Sequence, residues 1–225
     1  MKEKMYIVVV VLALASCANA SWVVDDFEGY ADSTELQAAW VPNTSSLITS
    51  ETLETFLNGQ CMLITNASQA DPYYVQTKLE LPGVDWGVSG VNLTYQGYTG
   101  IQMTFAIPPN NASVPPYGGL GGSGGDVFLS IYDTWGGKVW SASYDGDVTY
   151  SGTGYPDGLV WEMDFSVGLE PGQNFENVAQ ITVGYNQAYW GPGCLLVDDV
   201  ILTPEPSTMI LFGLGAIGLL KRSKK

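Results

Sequence analysis

Short segments rich in β-branched and aromatic residues, bounded by Gly, Pro, Asn or Asp, constrain the fold of this chain most. About ten such segments occur, and this spacing is typical of an antiparallel β-sandwich or jelly roll. A capping residue, Asp32 or Ser33, predicts one short helix over Thr34 to Trp40. We therefore predict an all-β fold, a single antiparallel sandwich. The predicted strands are residues 22–27, 59–66, 73–79, 91–96, 101–107, 126–133, 138–144, 159–165, 181–185 and 195–202.

Basic residues are almost confined to the two ends of the chain. Of the 23 acidic residues only Glu3 and Glu205 lie outside residues 21–204, and of the 8 basic residues only Lys78 and Lys138 lie inside, which gives this segment a formal charge of −19. A nucleic-acid binder needs a Lys/Arg surface that displaces counterions, so this class is excluded. The chain has no histidine, which excludes Ser-His-Asp triads and histidine metal ligands.

The N-terminus has the pattern of an export signal. Two lysines precede an apolar run at residues 5–15, and the small residues 18–20 are of the type that signal peptidase reads. This predicts a signal helix over residues 1–20 that is removed after export. Residues 14–17 also fit a lipobox, in which Cys17 would be lipidated, and the sequence leaves both possibilities open.

The C-terminus combines three parts in a fixed order. Pro204-Glu205-Pro206 is followed by an apolar helix candidate at residues 208–220 and a basic cluster at residues 221–225. The 13 residues of the helix candidate would span about 20 Å, which is short compared with a hydrocarbon core of about 30 Å. This order resembles the PEP-CTERM sorting signal. The resemblance implies transient insertion in the inner membrane, processing by an exosortase, and delivery to the cell surface or exopolysaccharide matrix.

Between these signals, residues 21–203 are enough for one domain with a core of its own. This ectodomain contains Cys61 and Cys194, both in strand-like segments. In an oxidising compartment they could form a disulfide that closes a long loop, or remain as two buried thiols.

The two ends of the ectodomain resemble galactose-binding-like jelly-roll carbohydrate-binding modules. The resemblance rests on Asp25-Asp26-Phe27-Glu28-Gly29, with Trp40 downstream, and on Val197-Asp198-Asp199-Val200 near the end. It implies that the opening strand lies against the closing strand and that carboxylates from both hold a structural calcium. Calcium prefers oxygen ligands, so the candidate ligands are Asp26, Glu28, Asp198 and Asp199.

Aromatic residues next to Gly, Pro or Asn predict a sugar-binding surface. Pyranose C–H faces lie flat on aromatic rings, while neighbouring amides and carboxylates bond the hydroxyl groups. The candidate carbohydrate-binding residues are Tyr185, Asn186, Gln187, Tyr189, Trp190 and Trp135.

An enzyme is the weaker interpretation. Glu162 and Asp164 alternate on one predicted strand, as the acids of glycoside hydrolases can. Laminarinase-type sandwiches have E-x-D-x-x-E on one strand, and here the third acidic position is Val167. The sequence therefore predicts an exported, non-catalytic surface protein that binds extracellular polysaccharide. The alternatives are a structural matrix or appendage component that binds protein or its own copies and, less favoured, a glycoside hydrolase.

Overall fold

The computed structural model describes residues 21–43, 46–52, 57, 59–66, 75–107, 126–144, 159–186 and 194–204. The predicted signal helix and the apolar C-terminal helix lie outside these residues. Within these ranges, no helix combines the length and the apolar character needed to cross a membrane.

The described part of the chain contains eleven strands and one helix. The helix is α1 (Ser33–Ala39). The strands are β1 (Trp22–Asp25), β2 (Trp40–Pro42), β3 (Ser46–Thr52), β4 (Gln60–Asn66), β5 (Val75–Glu80), β6 (Tyr98–Ala106), β7 (Asp126–Asp133), β8 (Lys138–Tyr144), β9 (Leu159–Asp164), β10 (Val178–Asn186) and β11 (Cys194–Pro204).

Two antiparallel sheets pack face to face, which confirms the predicted sandwich. Sheet A has the order β3-β4-β11-β6-β9, with β1 also paired to β11, and sheet B has the order β2-β5-β10-β7-β8. Alternate residues of each strand face the core, as the period of two requires. In β7 these are Val127, Leu129 and Ile131, all fully buried. Buried residues of both sheets form one hydrophobic cluster, including Met103 and Val197 from sheet A.

The predicted helix is confirmed. Asp32 is its N-cap, and its carboxylate accepts hydrogen bonds from the backbone N–H groups of Thr34 and Glu35, at 2.8 Å and 3.0 Å. These bonds satisfy N–H groups that have no partner within the first turn of a helix.

One predicted strand is wrong. Residues 91–96 form turns, and Val91 makes only a single bridge, to Val178. The Asn92 side chain accepts a hydrogen bond from the backbone N–H of Tyr95. An Asx turn of this kind competes with strand pairing, which explains why an apolar alternation did not become a strand.

Of the two alternatives left open for Cys61 and Cys194, the structure has the second, two buried thiols. Cys61 lies on β4 and Cys194 on the adjacent β11, and no disulfide joins them. Cys194 pairs with Thr65, so the cysteines are offset by four residues, or about 13 Å along the sheet. A disulfide needs Cα atoms within about 7 Å. Both thiols are instead buried in a small apolar cluster with Leu63 and Leu196, and burial raises the pKa of Cys194 to about 12.

Candidate functional site

Two regions of the described part of the chain are considered as candidate sites. The first, here called the terminal corner, consists of residues 25–30 after β1, Trp40, and Asp198 and Asp199 of β11. The second, here called the tryptophan surface, consists of Trp86 and Trp135 in two turns of the chain. The rings of Phe27 and Trp40 are buried in the terminal corner, whereas the rings of Trp86 and Trp135 are exposed at the tryptophan surface.

Asp25 organises the terminal corner. Its carboxylate accepts hydrogen bonds from the backbone N–H of Phe27 at 2.8 Å, from the indole N–H of Trp40 at 2.6 Å and from the hydroxyl of Tyr30. Phe27 adopts a left-handed backbone conformation (φ 59°), which is rare for a bulky residue. Its ring is buried and its centroid lies 5.6 Å from that of Trp40. The sequence analysis did not assign Asp25 a role, and the structure makes it the acceptor that holds this turn together.

Glu28 also accepts a hydrogen bond that holds the terminal corner in place. Its Oε1 accepts the backbone N–H of Gln60 at 2.8 Å, at the start of β4. The carboxylate lies against Gly59, where an added Cβ would approach Oε1 to 2.0 Å. Only glycine fits this approach, since any side chain would displace the carboxylate. Glu28 therefore connects the segment after β1 to sheet A.

The four predicted calcium ligands lie close enough for the charges of Asp26 and Glu28 to affect the pKa of Asp198 and of Asp199. Asp198 is only 6% exposed, and burial raises its pKa to about 6, with further upward contributions from the charges of Asp199, Glu28 and Asp26. Burial also raises the pKa of Asp199, and the charges of Asp26 and Glu28 add to this effect. The pairing of the opening strand with the closing strand, which the resemblance implied, is confirmed because β1 pairs with β11.

Proximity alone does not make these acids a calcium site. Calcium takes six to eight oxygen ligands at about 2.4 Å, and no group of three or more acidic, histidine or cysteine residues in the described part of the chain is arranged to hold a metal ion. Glu28 and Asp198 each already accept a backbone N–H. Within the described part of the chain these acids thus do not form a complete calcium site by themselves, and calcium binding stays a prediction of the resemblance.

At the tryptophan surface, the first aromatic ring is presented by a tight turn between β5 and β6. Asp85 and Ser89 exchange two backbone hydrogen bonds, at 2.8 Å and 2.9 Å, so Trp86, Gly87 and Val88 form the tip of this turn. Trp86 is 43% exposed. Its indole N–H donates to the Glu80 carboxylate at 2.7 Å, which fixes one edge of the ring.

The second ring is presented by the β7–β8 turn. Asp133 Oδ1 accepts the backbone N–H groups of Trp135 and Gly137, at 2.9 Å and 2.7 Å. Gly136 has a φ of 79°, a conformation that glycine adopts without strain. The Trp135 side chain is left 65% exposed.

One backbone hydrogen bond joins the two turns. The N–H of Gly87, next to Trp86, donates to the carbonyl of Thr134, next to Trp135, at 2.8 Å. Among the residues that the structure describes, neither indole makes a ring contact with another aromatic side chain. Two exposed tryptophans therefore stand on turns that are joined through their backbones, and exposed indole rings suit stacking against an apolar face of a ligand.

The remaining predicted sugar-binding residues differ in their positions. Tyr185 is fully buried in the core cluster, which corrects its assignment because a buried ring offers no face to a sugar. Asn186 is the last residue of β10. Gln187, Tyr189 and Trp190 lie outside the described residues. Trp135 is exposed, and the sequence analysis missed its neighbour Trp86, although Trp86 also stands beside a glycine.

The pair of acids on β9 does not have the properties of catalytic acids. Glu162 and Asp164 are both exposed. Asp164 accepts the backbone N–H of Ser166 at 2.7 Å, and this bond lowers the pKa of Asp164. A general acid requires the opposite shift, a pKa raised towards neutrality.

The C-terminal part of the chain matches a known sorting signal. Residues 202–225 match the PEP-CTERM protein-sorting motif. This motif indicates an exported protein that is sorted to the cell surface, and it implies processing by an exosortase. Pro204 ends β11, while Glu205 and Pro206 lie outside the described residues. The matched region begins inside the folded domain, because Leu202 is fully buried and pairs with Trp22 of β1.

Several solved structures resemble the sandwich. One is the family 30 carbohydrate-binding module of a cellulosomal cellulase of Clostridium thermocellum, with a TM-score of 0.50, 12% identity, and coverage of 83% of this chain and 99% of that one. Another is the family 11 module of cellulase Lic26A-Cel5E from the same organism, with a TM-score of 0.48, 19% identity and coverage of 84% and 96%. A third is a Stig cyclase from Fischerella sp. TAU, with a TM-score of 0.48, 12% identity and coverage of 83% and 99%. At these identities the likeness shows the jelly-roll fold alone. No curated protein sequence matches the chain significantly.

Proposed function

We propose that this protein is an exported, non-catalytic surface protein that binds extracellular polysaccharide through Trp86 and Trp135. The observation that carries the proposal is the pair of exposed indoles held on two turns joined by the Gly87–Thr134 hydrogen bond. The sorting motif supports it by indicating a protein that meets extracellular material.

The positions of the two rings favour binding for a physical reason. An exposed indole leaves apolar area in contact with water and adds nothing to the packing of the core, so a ligand that covers it is bound favourably. Here the Trp86 ring is held by the bond of its indole N–H to Glu80, and the backbone that presents Trp135 is held by the bond of its N–H to Asp133. A ring or a turn that is already held in place loses less conformational entropy when a sugar stacks on it, so more of the binding free energy is retained.

A glycan array with the purified full chain tests the proposal. We expect binding to at least one polysaccharide class, and a loss of about 10-fold in affinity for Trp86→Ala and for Trp135→Ala, since truncation of a central tryptophan commonly costs at least 1 kcal/mol. Tyr95→Ala is the matched control, because Tyr95 is 89% exposed in another turn. Melting temperatures of all three variants check that they are folded.

Three results would count against the proposal. If the double variant Trp86→Ala, Trp135→Ala retained the wild-type affinity, the glycan would bind elsewhere. If no glycan bound and the chain associated with itself or with matrix proteins, a structural matrix component would be the better account. The non-catalytic part is tested by incubating a bound glycan with the protein, and shorter products would contradict it.

A further inference from the structure

The tryptophan surface is bordered by carboxylates. Glu80 Oε2 lies 2.7 Å from the Trp86 indole nitrogen. Asp85 closes the turn that presents Trp86, and Asp133 bonds the backbone N–H of Trp135. All three acids therefore belong to the same hydrogen-bonded turns as the two tryptophans.

No comparable positive charge balances these acids. The only basic residues of the segment 21–204 are Lys78 and Lys138, and the segment contains no arginine. Lys138, at the start of β8, forms an ion pair with Glu170, with 2.9 Å between Nζ and Oε1. Lys78 is exposed on β5, two residues before Glu80, so one lysine lies near three carboxylates. Anionic ligands are normally recognised by sets of Arg or Lys side chains that bond their oxygens, and one lysine among three acids does not form such a set.

From this distribution of charge, and resting on the proposed function, we infer that the glycan bound at the tryptophan surface is a neutral polysaccharide and that uronic-acid and sulfated polymers are rejected there. An approaching carboxylate or sulfate would meet the charges of Glu80, Asp85 and Asp133 in addition to the −19 of the whole segment. Repulsion of this kind discriminates between ligands of the same shape. The hydroxyl groups and C–H faces of a neutral hexose carry no such penalty.

Hexasaccharides with the same linkage, which differ only in a hydroxymethyl or a carboxylate group at C6, test the inference. We would compare β-1,4-linked mannose with β-1,4-linked mannuronate, and β-1,4-linked glucose with β-1,4-linked glucuronate, by calorimetry with the full chain. In about 50 mM salt, where screening is weak, we expect the neutral member of a pair to bind at least about 10-fold tighter than its uronate. In about 500 mM salt the ratio should shrink, mainly because the uronate binds better.

Asp85→Asn is the informative variant. It removes one charge at the edge of the surface, and we expect it to reduce the neutral-to-uronate affinity ratio by about 2- to 3-fold at low salt. The control is Glu162→Gln, which removes the same charge from an exposed position on β9 of the other sheet and should leave the ratio unchanged. A ratio that did not respond to salt or to Asp85→Asn would contradict an electrostatic origin.

The inference and the proposed function fail in different ways. Equal or tighter binding of the uronate at low salt, or a glycan array on which only acidic polymers bind through Trp86 and Trp135, would overturn the inference and leave the proposed function intact. An array on which no glycan binds would overturn the proposed function, and the inference with it.

Discussion

The terminal corner and the tryptophan surface place polar and aromatic side chains in opposite arrangements. In the terminal corner, the Asp25 carboxylate points to backbone and side-chain donors, and the rings of Phe27 and Trp40 are buried. At the tryptophan surface, the backbone and the Asp133 carboxylate form the support, and the rings of Trp86 and Trp135 remain exposed. The terminal corner, which has the more recognisable sequence motif, thus joins the two ends of the domain. The exposed aromatic surface comes instead from two turns that have no recognisable motif.

The largest expected effect is a loss of stability when the chain is cut inside the folded part of the sorting motif. A chain that stops after Ile201 loses Leu202, which is fully buried and paired to both β1 and β6. We expect it to lose about 3–5 kcal/mol of unfolding free energy in urea titrations, as for removal of a large core side chain. A chain that stops after Pro204 keeps β11 complete and should unfold at the same urea concentration as the full chain. Equal stability of the two truncations would show that Leu202 does not belong to the domain.

Asp25→Ala should have the next largest effect on stability. The substitution leaves the Trp40 indole N–H and the Phe27 backbone N–H without their acceptor, and we expect a loss of about 2–4 kcal/mol. Asp26→Ala is the control, because Asp26 is exposed and accepts a single, longer bond from Glu28 N–H at 3.2 Å. Glycan affinity should not change in either variant. A loss of affinity without a loss of stability in Asp25→Ala would contradict the division between the two regions.

The pH dependence of stability provides a smaller test of the terminal corner. Burial raises the pKa of Asp198 to about 6, so the folded state binds its proton more tightly than the unfolded state does, and the stabilising contribution is complete below about pH 4 and lost as the pH rises through 6. Between these values we expect a loss of about 1 kcal/mol, after allowance for solvent screening. Asp198→Asn should remove this component, and the difference between wild type and variant isolates it. A difference that does not vary with pH would contradict the burial of an ionised carboxylate at Asp198.

Calcium should have the smallest effect on stability. If the resemblance to carbohydrate-binding modules extends to a cation, calcium at about pH 7.5 should raise the melting temperature by one or two degrees, because it offsets the repulsion among the terminal-corner acids. Glu28→Gln and Asp199→Asn should each reduce the shift, and magnesium should reproduce little of it. Identical melting temperatures in calcium and in EGTA would reject the site.

The parts of the fold that depend on local pattern were predictable, and those that depend on distant pairing were not. Alternation and turn residues predicted β7 and β8 with the bounds that the structure gives. The short β2 was missed because it contains Pro42 and has only 3 residues, and its strand character comes from pairing with β5. Strand period alone could have placed Tyr185 in the core, since it shares a face with Ile181 and Val183.

The candidate site was predicted only in part, for a related reason. Trp135 was identified from its own turn, since Gly136 follows it. Its turn is joined to that of Trp86 by the backbone hydrogen bond between Gly87 and Thr134. The two turns are far apart in the sequence, and a backbone hydrogen bond requires no particular residue type, so the sequence could not predict it. The acids of the terminal corner were predicted to meet because the resemblance covered both ends of the domain, but their hydrogen bonds to backbone N–H groups could not be deduced from residue type.

The most direct test of the central claim is to follow the indole resonances of the tryptophans by NMR as a bound glycan is added. The chain has 7 tryptophans, and single Trp→Phe substitutions assign each indole N–H signal. If the glycan stacks on the tryptophan surface, the signals of Trp86 and Trp135 should shift with a common dissociation constant, while those of the buried Trp40 and Trp140 stay in place. Shifts confined to Trp190 or to the remaining tryptophans, with Trp86 and Trp135 unchanged, would contradict the account.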